Sequence, residues 1–569
     1  MMKRILLPII AACAATGCAG HVNPSTAPQS NAYDVIIENG KIVDGTGNVW
    51  FYGDVGITGD RIARITPFGA LKNSSAKRRI DAKGLVVAPG FIDIQSHSWD
   101  ALLWRDGRVI GKVMQGVTTE ILGEATTPAP INANMLALLE LPDTLPKLIA
   151  LHKTFAGEHG FGAWLDAMGR HGNSVNAGSY LGAATVRAYA MGQRQGTPTA
   201  AELDTMRAVV RHAMEDGAFG ISSALIYPPG SYATTNELIE EAKAMSPYHG
   251  SYITHMRSED DSLFEAMDEA YRIAREGNVA LDIYHLKAAG RKNWSKAPGM
   301  IAKIDSARAA GLDVGATMYP YAASGNGLGS CFPDWAAENG KLLSNLRDPA
   351  MRARIVADMN KTGSCDPERY AVIAINGFTK PDLKKYEGWT LTQIMKDRNQ
   401  TSVPDEVIEL TLLEENHLSK INFSMSEENV AMQLKKPWVV IGSDAGGFNP
   451  DSARSLVHPR SYGTFARVLG KYVRQDSLFT LEEGVRKMTG ATAARLKLRD
   501  RGLLREGMYA DVVVFDPATI IDKATFEKPH QLAVGVKYVF VNGVAVVADG
   551  KHTGATPGMV VRGPGWTGH

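Results

Sequence analysis

LVVAPGFIDIQSH, residues 85–97, is an apolar run interrupted by Pro89-Gly90 and ending in polar groups. Read as a strand, it places Gln95 and His97 on the same face, because residues i and i+2 point the same way. Similar runs recur as TTEILGE, NAGSYLGAATV, FGISSALIY, GSYITHM, LDIYHLK, LDVGATMYPY and WVVIGSDAG, with helical stretches between them. Strands alternating with helices argue for parallel βα units. Eight such units suit an α/β fold of the (β/α)8 TIM-barrel kind. The gap between the seventh and eighth, about residues 322–437, exceeds one helix and holds an insertion. An insertion on the loop side of a barrel often serves as a lid.

Outside the barrel the texture changes. YDVIIENGKIVDGTGNVWFYGDVGITGDRIARI, from Tyr33, reads as short alternating strands separated by Asn-Gly, Asp-Gly and Gly-Asp turns. GMYADVVVFD and VKYVFVNGVAVVADGK repeat that texture near the other end, with Asn542-Gly543 as a turn. The two segments are expected to pair into one small β-sandwich. The divisions are residues 33–85 and 501–560 for the sandwich and 86–500 for the barrel.

The beginning, MMKRILLPIIAACAATGCAG, has a basic start at Lys3 and Arg4, a short apolar core, and small residues before Cys18. It reads as an export signal over residues 1–18, followed by a polar tether over 19–32. Ala15-Thr16-Gly17-Cys18 resembles a bacterial lipoprotein cleavage box, although Ala15 stands where Leu is more usual. The expectation is a periplasmic protein lipidated at Cys18, touching the membrane only through that anchor. Lys+Arg 61 against Asp+Glu 60 gives a formal charge of +1. That near balance provides no field for nucleic acid and makes a small molecule the default partner.

His97, Glu124, His255, His285 and Asp444 fall at the ends of the first, second, fifth, sixth and eighth strands. Barrel enzymes place their chemistry at those carboxyl ends. His255 and His285 are 30 positions apart, about one βα repeat, so neighbouring strands bring two imidazoles together. Imidazole nitrogens and a carboxylate oxygen are suitable zinc ligands. Each residue alone also has a plain structural reading: a hydrogen-bonded histidine, a loop carboxylate, or a helix cap in GSDAGG. The coincidence of five on one face carries the functional reading.

APGFIDIQSH, QGVTTEILGE, YITHMRSE, IYHLKAAG, IGSDAGG, HPRSYGTFARVLGKYV and VRKMTGATAARLKLRDRGLLREGMYADVVVFDP follow one another in the chain. Their order resembles the D-aminoacylase branch of the amidohydrolase superfamily over nearly everything after the signal. The resemblance implies a zinc-dependent hydrolase that cleaves N-acyl groups from amino acids, with Asp444 as the catalytic acid–base. Two departures stand out: the family commonly has His-x-His where this chain has Gln95-Ser96-His97, and Cys where it has Glu124. Glutamate keeps an anionic ligand but a harder one. Glu124, His255 and His285 are therefore expected to hold one tight zinc. Gln95, His97 and Asp444 mark a second position that is weak or absent, with a two-metal site bridged by Glu124 as the alternative. His97 is a further candidate for assisting the developing oxyanion. For the amino-acid carboxylate the resemblance points to Lys287 and Arg460, with Tyr319 and Ser324 nearby.

Other readings stay open on sequence alone: an amidohydrolase for cyclic or hydrophobic xenobiotic amides, a degenerate barrel that binds without turnover, or a tethered structural lipoprotein. Oligomeric state is not legible. Four cysteines stand at 13, 18, 331 and 365. With Cys13 removed in the signal and Cys18 lipidated, Cys331 and Cys365 remain as a candidate disulfide in an oxidising compartment. Such a bond would hold a lid expected to lack a large core of its own.

Overall fold

The computed structural model describes residues 33–138, 146–367 and 373–568. The signal, the tether and Cys18 lie outside them.

The barrel is built from β6 (Phe91–Asp93), β7 (Val117–Leu122), β8 with β9 (Asn176–Ser179 and Leu181–Gly182), β10 (Gly220–Ala224), β11 (Ser251–His255), β12 (Ala280–Ile283), β13 (Val314–Met318) and β17 (Val439–Ile441). Two parallel arcs compose it, β6-β7-β8 and β9-β10-β11-β12-β13-β17. They meet at Tyr180, the one residue between β8 and β9, whose N–H donates to Leu122 at 2.9 Å. The other seam is stitched beyond the strand ends, where His97 N donates to Ala445 O (3.1 Å) and Asp444 N to Gln95 O (2.8 Å). Those two bonds tie the backbones of site residues directly to one another.

The helices cover the barrel for ordinary reasons. Helix Leu263–Gly277 buries Leu263, Ala266, Met267, Ala270, Ile273 and Ala274, a stripe at helical spacing, and stops at Asn278 in the left-handed region (φ 53°). Each fully buried Leu, Ile or Met contributes about 1.5–3 kcal/mol. Helix Ala200–Glu215 begins with a reciprocal capping box between Thr199 and Glu202.

The β domain has the order β21-β20-β19-β18-β5-β1-β2-β3, with β4 branching from β1. The N-terminal strands are β1 (Tyr33–Ile42), β2 (Phe51–Thr58), β3 (Arg61–Pro67), β4 (Ala76–Asp81) and β5 (Val86–Pro89). The C-terminal ones are β18 (Val512–Phe515), β19 (Val536–Val541), β20 (Val544–Ala548) and β21 (Lys551–His552). Ile37, Val55, Ile62 and Val87 pack with Val512, Val514 and Phe540, so the segments share one core. One boundary moves. Val86–Pro89, assigned above to the barrel, pairs with β1 and β18 of the β domain. The chain crosses between domains at Gly90, where a Cβ would stand 2.2 Å from Thr118.

Between β13 and β17 the insertion folds as an antiparallel sheet, β14 (Ser324–Gly327), β16 (Ser419–Asn422) and β15 (Ile373–Asn376), backed by helices that include Pro349–Thr362 and Val403–Leu413. Contrary to the expectation above, it has a substantial core of its own: Leu328, Phe332, Leu346, Ile355, Leu391 and Val407 are all buried within it. The two helices just named are only weakly amphipathic, so that core is not evident from periodicity. Cys331 and Cys365 are bonded inside this core, their Cα atoms 5.5 Å apart.

Candidate metal centre

Five side chains converge at the carboxyl end of the barrel, and the backbone makes unusual concessions to place them. Glu124 follows Gly123, which has a φ of 111° and where a Cβ would stand 2.3 Å from Tyr180 O, so that only glycine fits. His285 and Asp444 have left-handed backbone (φ 34° and 51°), a costly geometry for residues with a side chain. Thr317 Oγ1 accepts from His285 N at 2.7 Å and helps hold that conformation. The loop bearing Asp444 is anchored by buried Lys112, whose Nζ lies 2.6 Å from Asp93 Oδ2 and 2.7 Å from Ala445 O. Asp93 Oδ1 in turn accepts from Ser443 N at 2.9 Å.

Glu124 Oε1 stands 3.4 Å from His255 Nδ1 and 3.3 Å from His285 Nε2. Two donors about 2.1 Å from one tetrahedral ion lie about 3.4 Å apart, so both distances from Glu124 suit zinc, and the three atoms all lie within 4.8 Å of one another. A second group shares the same carboxylate: His97 Nε2 is 3.4 Å from Glu124 Oε2 and 2.8 Å from Asp444 Oδ1. The first group is wholly buried; His97 is partly open to solvent.

The electrostatics also favour a cation. Burial alone would raise Glu124, but the charge of His285 and hydrogen bonds from His255, His285 and His97 hold its pKa well below the usual carboxylate range. Desolvation opposes charge on His97, yet bonds to Asp444 and Glu124 raise its pKa to about 9. His285 also rises to about 9, because Glu259 and Glu124 outweigh burial and the charge of Lys287. Asp444 is lowered despite burial, chiefly by Arg460. Protons gather on imidazoles that face crowded carboxylates, as expected of a site built for a positive ion.

Gln95 is not arranged as a ligand. Thr317, having accepted from His285 N, donates its hydroxyl hydrogen to Gln95 Oε1 at 2.7 Å. Gln95 Nε2 then donates to Glu124 Oε2 at 2.7 Å. A carboxylate only accepts, so the amide must turn its nitrogen toward Glu124 and its oxygen toward Thr317. In this arrangement Gln95 presents no oxygen to the second position, expected to be weak or absent, and orients and partly satisfies Glu124.

Glu259 escaped the sequence reading, although it closes the motif YITHMRSE. Its Oε1 is 3.0 Å from His285 Nδ1 and its Oε2 3.4 Å from His255 Nε2. It backs both imidazoles on the side away from Glu124, as carboxylates do behind metal-bound histidines. Lys287, expected to meet a substrate carboxylate, is 3% exposed and donates to Glu259 Oε1 at 2.6 Å, with its Nζ 2.7 Å from His285 Nδ1. Arg460 Nη1 pairs with Asp444 Oδ2 at 2.7 Å, and its guanidinium stacks 4.7 Å over Tyr319. The Tyr319 hydroxyl is buried with no partner among the described residues. These groups line a cavity of about 260 Å³ together with Ser324, Tyr227 and Asn326. Ser324 and Asn326 belong to β14, so the insertion roofs the site. A second cavity of about 800 Å³ also opens onto His97 and is lined by Trp99 and Phe448.

Residues 403–547 match the model of the Amidohydrolase family. The chain is 36% identical to the D-aminoacylase of Alcaligenes xylosoxydans xylosoxydans over 534 residues, 94% of this chain and 98% of that protein. A solved D-aminoacylase, studied for one-metal activation and second-metal attenuation of its binuclear centre, is 35% identical and superposes with a TM-score of 0.75 over 93% of this chain and 100% of that one. An N-acyl-D-glutamate deacylase from Bordetella bronchiseptica, in complex with zinc and a phosphonate mimic of the tetrahedral intermediate, is 31% identical with the same TM-score and coverage.

Proposed function

The chain belongs to the D-aminoacylase branch of the amidohydrolases, and from that premise we propose that it hydrolyses the amide bond of N-acyl-D-amino acids with one zinc ion held by Glu124, His255 and His285. The observation that carries this reading is Glu124 Oε1 placed 3.4 Å from His255 Nδ1 and 3.3 Å from His285 Nε2, with Asp444 in a group around the same carboxylate. When bound, zinc supplies a Lewis acid and a water acidified toward neutrality. Asp444 takes a proton from the attacking water and delivers it to the leaving nitrogen. His97 holds Asp444 Oδ1 in position. Arg460 meets the α-carboxylate of the substrate through its planar fork. That contact draws the guanidinium from Asp444 Oδ2, and the aspartate pKa rises toward the range a proton shuttle needs. Tyr319 and Ser324 offer hydroxyls on the same wall, Lys287 supports the carboxylate end through its charge, and the acyl group extends toward Trp99 and Phe448.

Paired N-acetyl-D- and N-acetyl-L-amino acids, supplied to zinc-loaded protein, test the reading. D-specific release of free amino acid is expected, with loss of turnover and retention of zinc in Asp444→Asn. Equal rates on both enantiomers would overturn the stereochemical assignment, and turnover by chelator-treated protein would overturn the metal dependence.

We also propose export to the periplasm with a lipid on Cys18. The basic and apolar start supports this, as does a disulfide suited to an oxidising compartment. Labelled fatty acid should enter the wild-type chain and not Cys18→Ala; equal labelling would contradict the anchor.

A further inference from the structure

Directly behind the roof of the catalytic cavity lies a cation that the proposed reaction does not use, bonded to the lining residue Asn326. In the insertion sheet Asn326 is directly opposite Lys420, and Ser324 opposite Asn422. Cross-strand partners share a face, and so do residues two apart. The face that presents Ser324 and Asn326 to the cavity therefore also carries Lys420 and Asn422. Lys420 is 5% exposed, and its Nζ donates to Asn326 Oδ1 at 2.7 Å.

The other buried cations of the described chain, Lys112, Arg187, Lys287, Arg460, Lys487 and Arg501, each face a carboxylate in an ion pair. Among the described residues Lys420 faces only a neutral amide. A buried ammonium without an anion is costly, and burial alone holds the pKa of Lys420 down to about 7. Asn326 Nδ2 reaches Tyr227 OH at 3.3 Å, and the Tyr227 ring stacks edge-on against that of His255 with centroids 5.7 Å apart. A continuous row, His255, Tyr227, Asn326 and Lys420, thus runs from the metal ligands up the cavity wall.

We infer that Lys420, with Asn326 and Tyr227, forms a subsite for a second carboxylate of the substrate, separate from the α-carboxylate at Arg460. The inference rests on the hydrolase reading above. A carboxylate entering between Asn326 and Tyr227 accepts from the amide nitrogen and the phenol, and draws the Lys420 ammonium from Asn326 Oδ1, giving it the anion it lacks. The second carboxylate comes either from an acidic amino-acid side chain or from a dicarboxylic acyl group.

Steady-state kinetics on N-acetyl-D-aspartate, N-acetyl-D-glutamate, N-succinyl-D-leucine and N-acetyl-D-leucine test the subsite in wild type, Lys420→Met and Lys420→Arg. At least one dicarboxylic substrate should have a lower KM than N-acetyl-D-leucine. Lys420→Met should raise that KM by about 10- to 100-fold, the scale of a lost charged hydrogen bond, leave kcat within about threefold, and leave N-acetyl-D-leucine unchanged. Lys420→Arg should recover much of the loss. Which dicarboxylate responds identifies the source of the second carboxylate. Melting temperature guards against misfolding, since removing an unpaired buried charge should not lower it. Preference for the neutral substrate, or an equal effect of Lys420→Met on all four, would overturn the subsite while leaving the hydrolase reading intact. If no substrate turns over, calorimetric binding of N-acetyl-D-glutamate decides separately. Binding lost in Lys420→Met keeps the subsite and sinks the hydrolase; binding unchanged in the variant, or absent from wild type, sinks the subsite as well.

Discussion

Replacing Glu259 by glutamine should weaken zinc binding by about 100-fold without unfolding the barrel. The carboxylate contacts the outward nitrogens of two proposed ligands, His285 Nδ1 at 3.0 Å and His255 Nε2 at 3.4 Å. Carboxylates behind metal-bound histidines are typically worth about 10- to 100-fold in metal affinity. Because one glutamate faces both rings, the upper end is expected, about 2.8 kcal/mol at 1.4 kcal/mol per decade. Glutamine keeps the size but offers one acceptor in place of two and no charge. The change also leaves Lys287, 2.6 Å from Glu259 Oε1, as an uncompensated cation near the ion, which acts in the same direction. Competition for zinc with a chromogenic chelator measures the affinity, with circular dichroism as the check on folding. The double variant Glu259→Gln, Lys287→Met should regain part of the loss. A single variant that binds zinc within twofold of wild type would refute the reasoning that Glu259 sets the basicity and orientation of both imidazoles.

Three further predictions address other parts of the account. Gln95→His removes the amide that donates to Glu124 Oε2 and adds a donor nitrogen, so metal content should rise from near one toward two per chain on elemental analysis; an unchanged content would show that His97 and Asp444 cannot complete a second position. Reducing the Cys331–Cys365 bond, which spans a sequence separation of 34, should destabilise the insertion by about 3.8 kcal/mol in the chain-entropy treatment, seen as an earlier unfolding step in urea with the barrel transition unmoved, whereas superimposable curves would contradict that role. In metal-free protein, His97 and His285 have folded pKa values of about 9, above the unfolded value of about 6.5. Their contribution is therefore complete below about pH 6.5 and lost as the pH rises through about 9, so the urea midpoint should be lower at pH 9.5 than at pH 6, and an equal or higher midpoint would speak against it.

The strands of the barrel were legible because buried parallel strands read as short apolar runs, and the five site residues because each closes such a run. The spacing of His255 and His285 needed no tertiary information beyond the length of a βα unit. Other features depend on partners from distant parts of the chain. Glu259 stands in plain view four residues after His255, but its role requires His285 from the next strand. The orientation of Gln95 is settled by Thr317, 222 positions away, and by the fact that Thr317 has already accepted from His285. Val86–Pro89 belongs to the β domain although it is as apolar as β6, and the Pro89-Gly90 break alone does not tell which domain takes it; the pairing with β1 and β18 does. Lys420 lies in a strand of the insertion that nothing in its own neighbourhood distinguishes, and only the ladder opposite Asn326 brings it to the cavity roof.

The central claim is that Glu124, His255 and His285 hold the one zinc on which amide hydrolysis depends. Metal-free protein titrated with zinc, with hydrolysis of an N-acetyl-D-amino acid followed at each step, tests it most directly. The account predicts no turnover at zero metal and a maximum close to one zinc per chain, with both binding and turnover lost in His255→Ala and His285→Ala. Turnover that persists without metal, that rises until two equivalents are bound, or that survives either alanine variant with its zinc intact would contradict it.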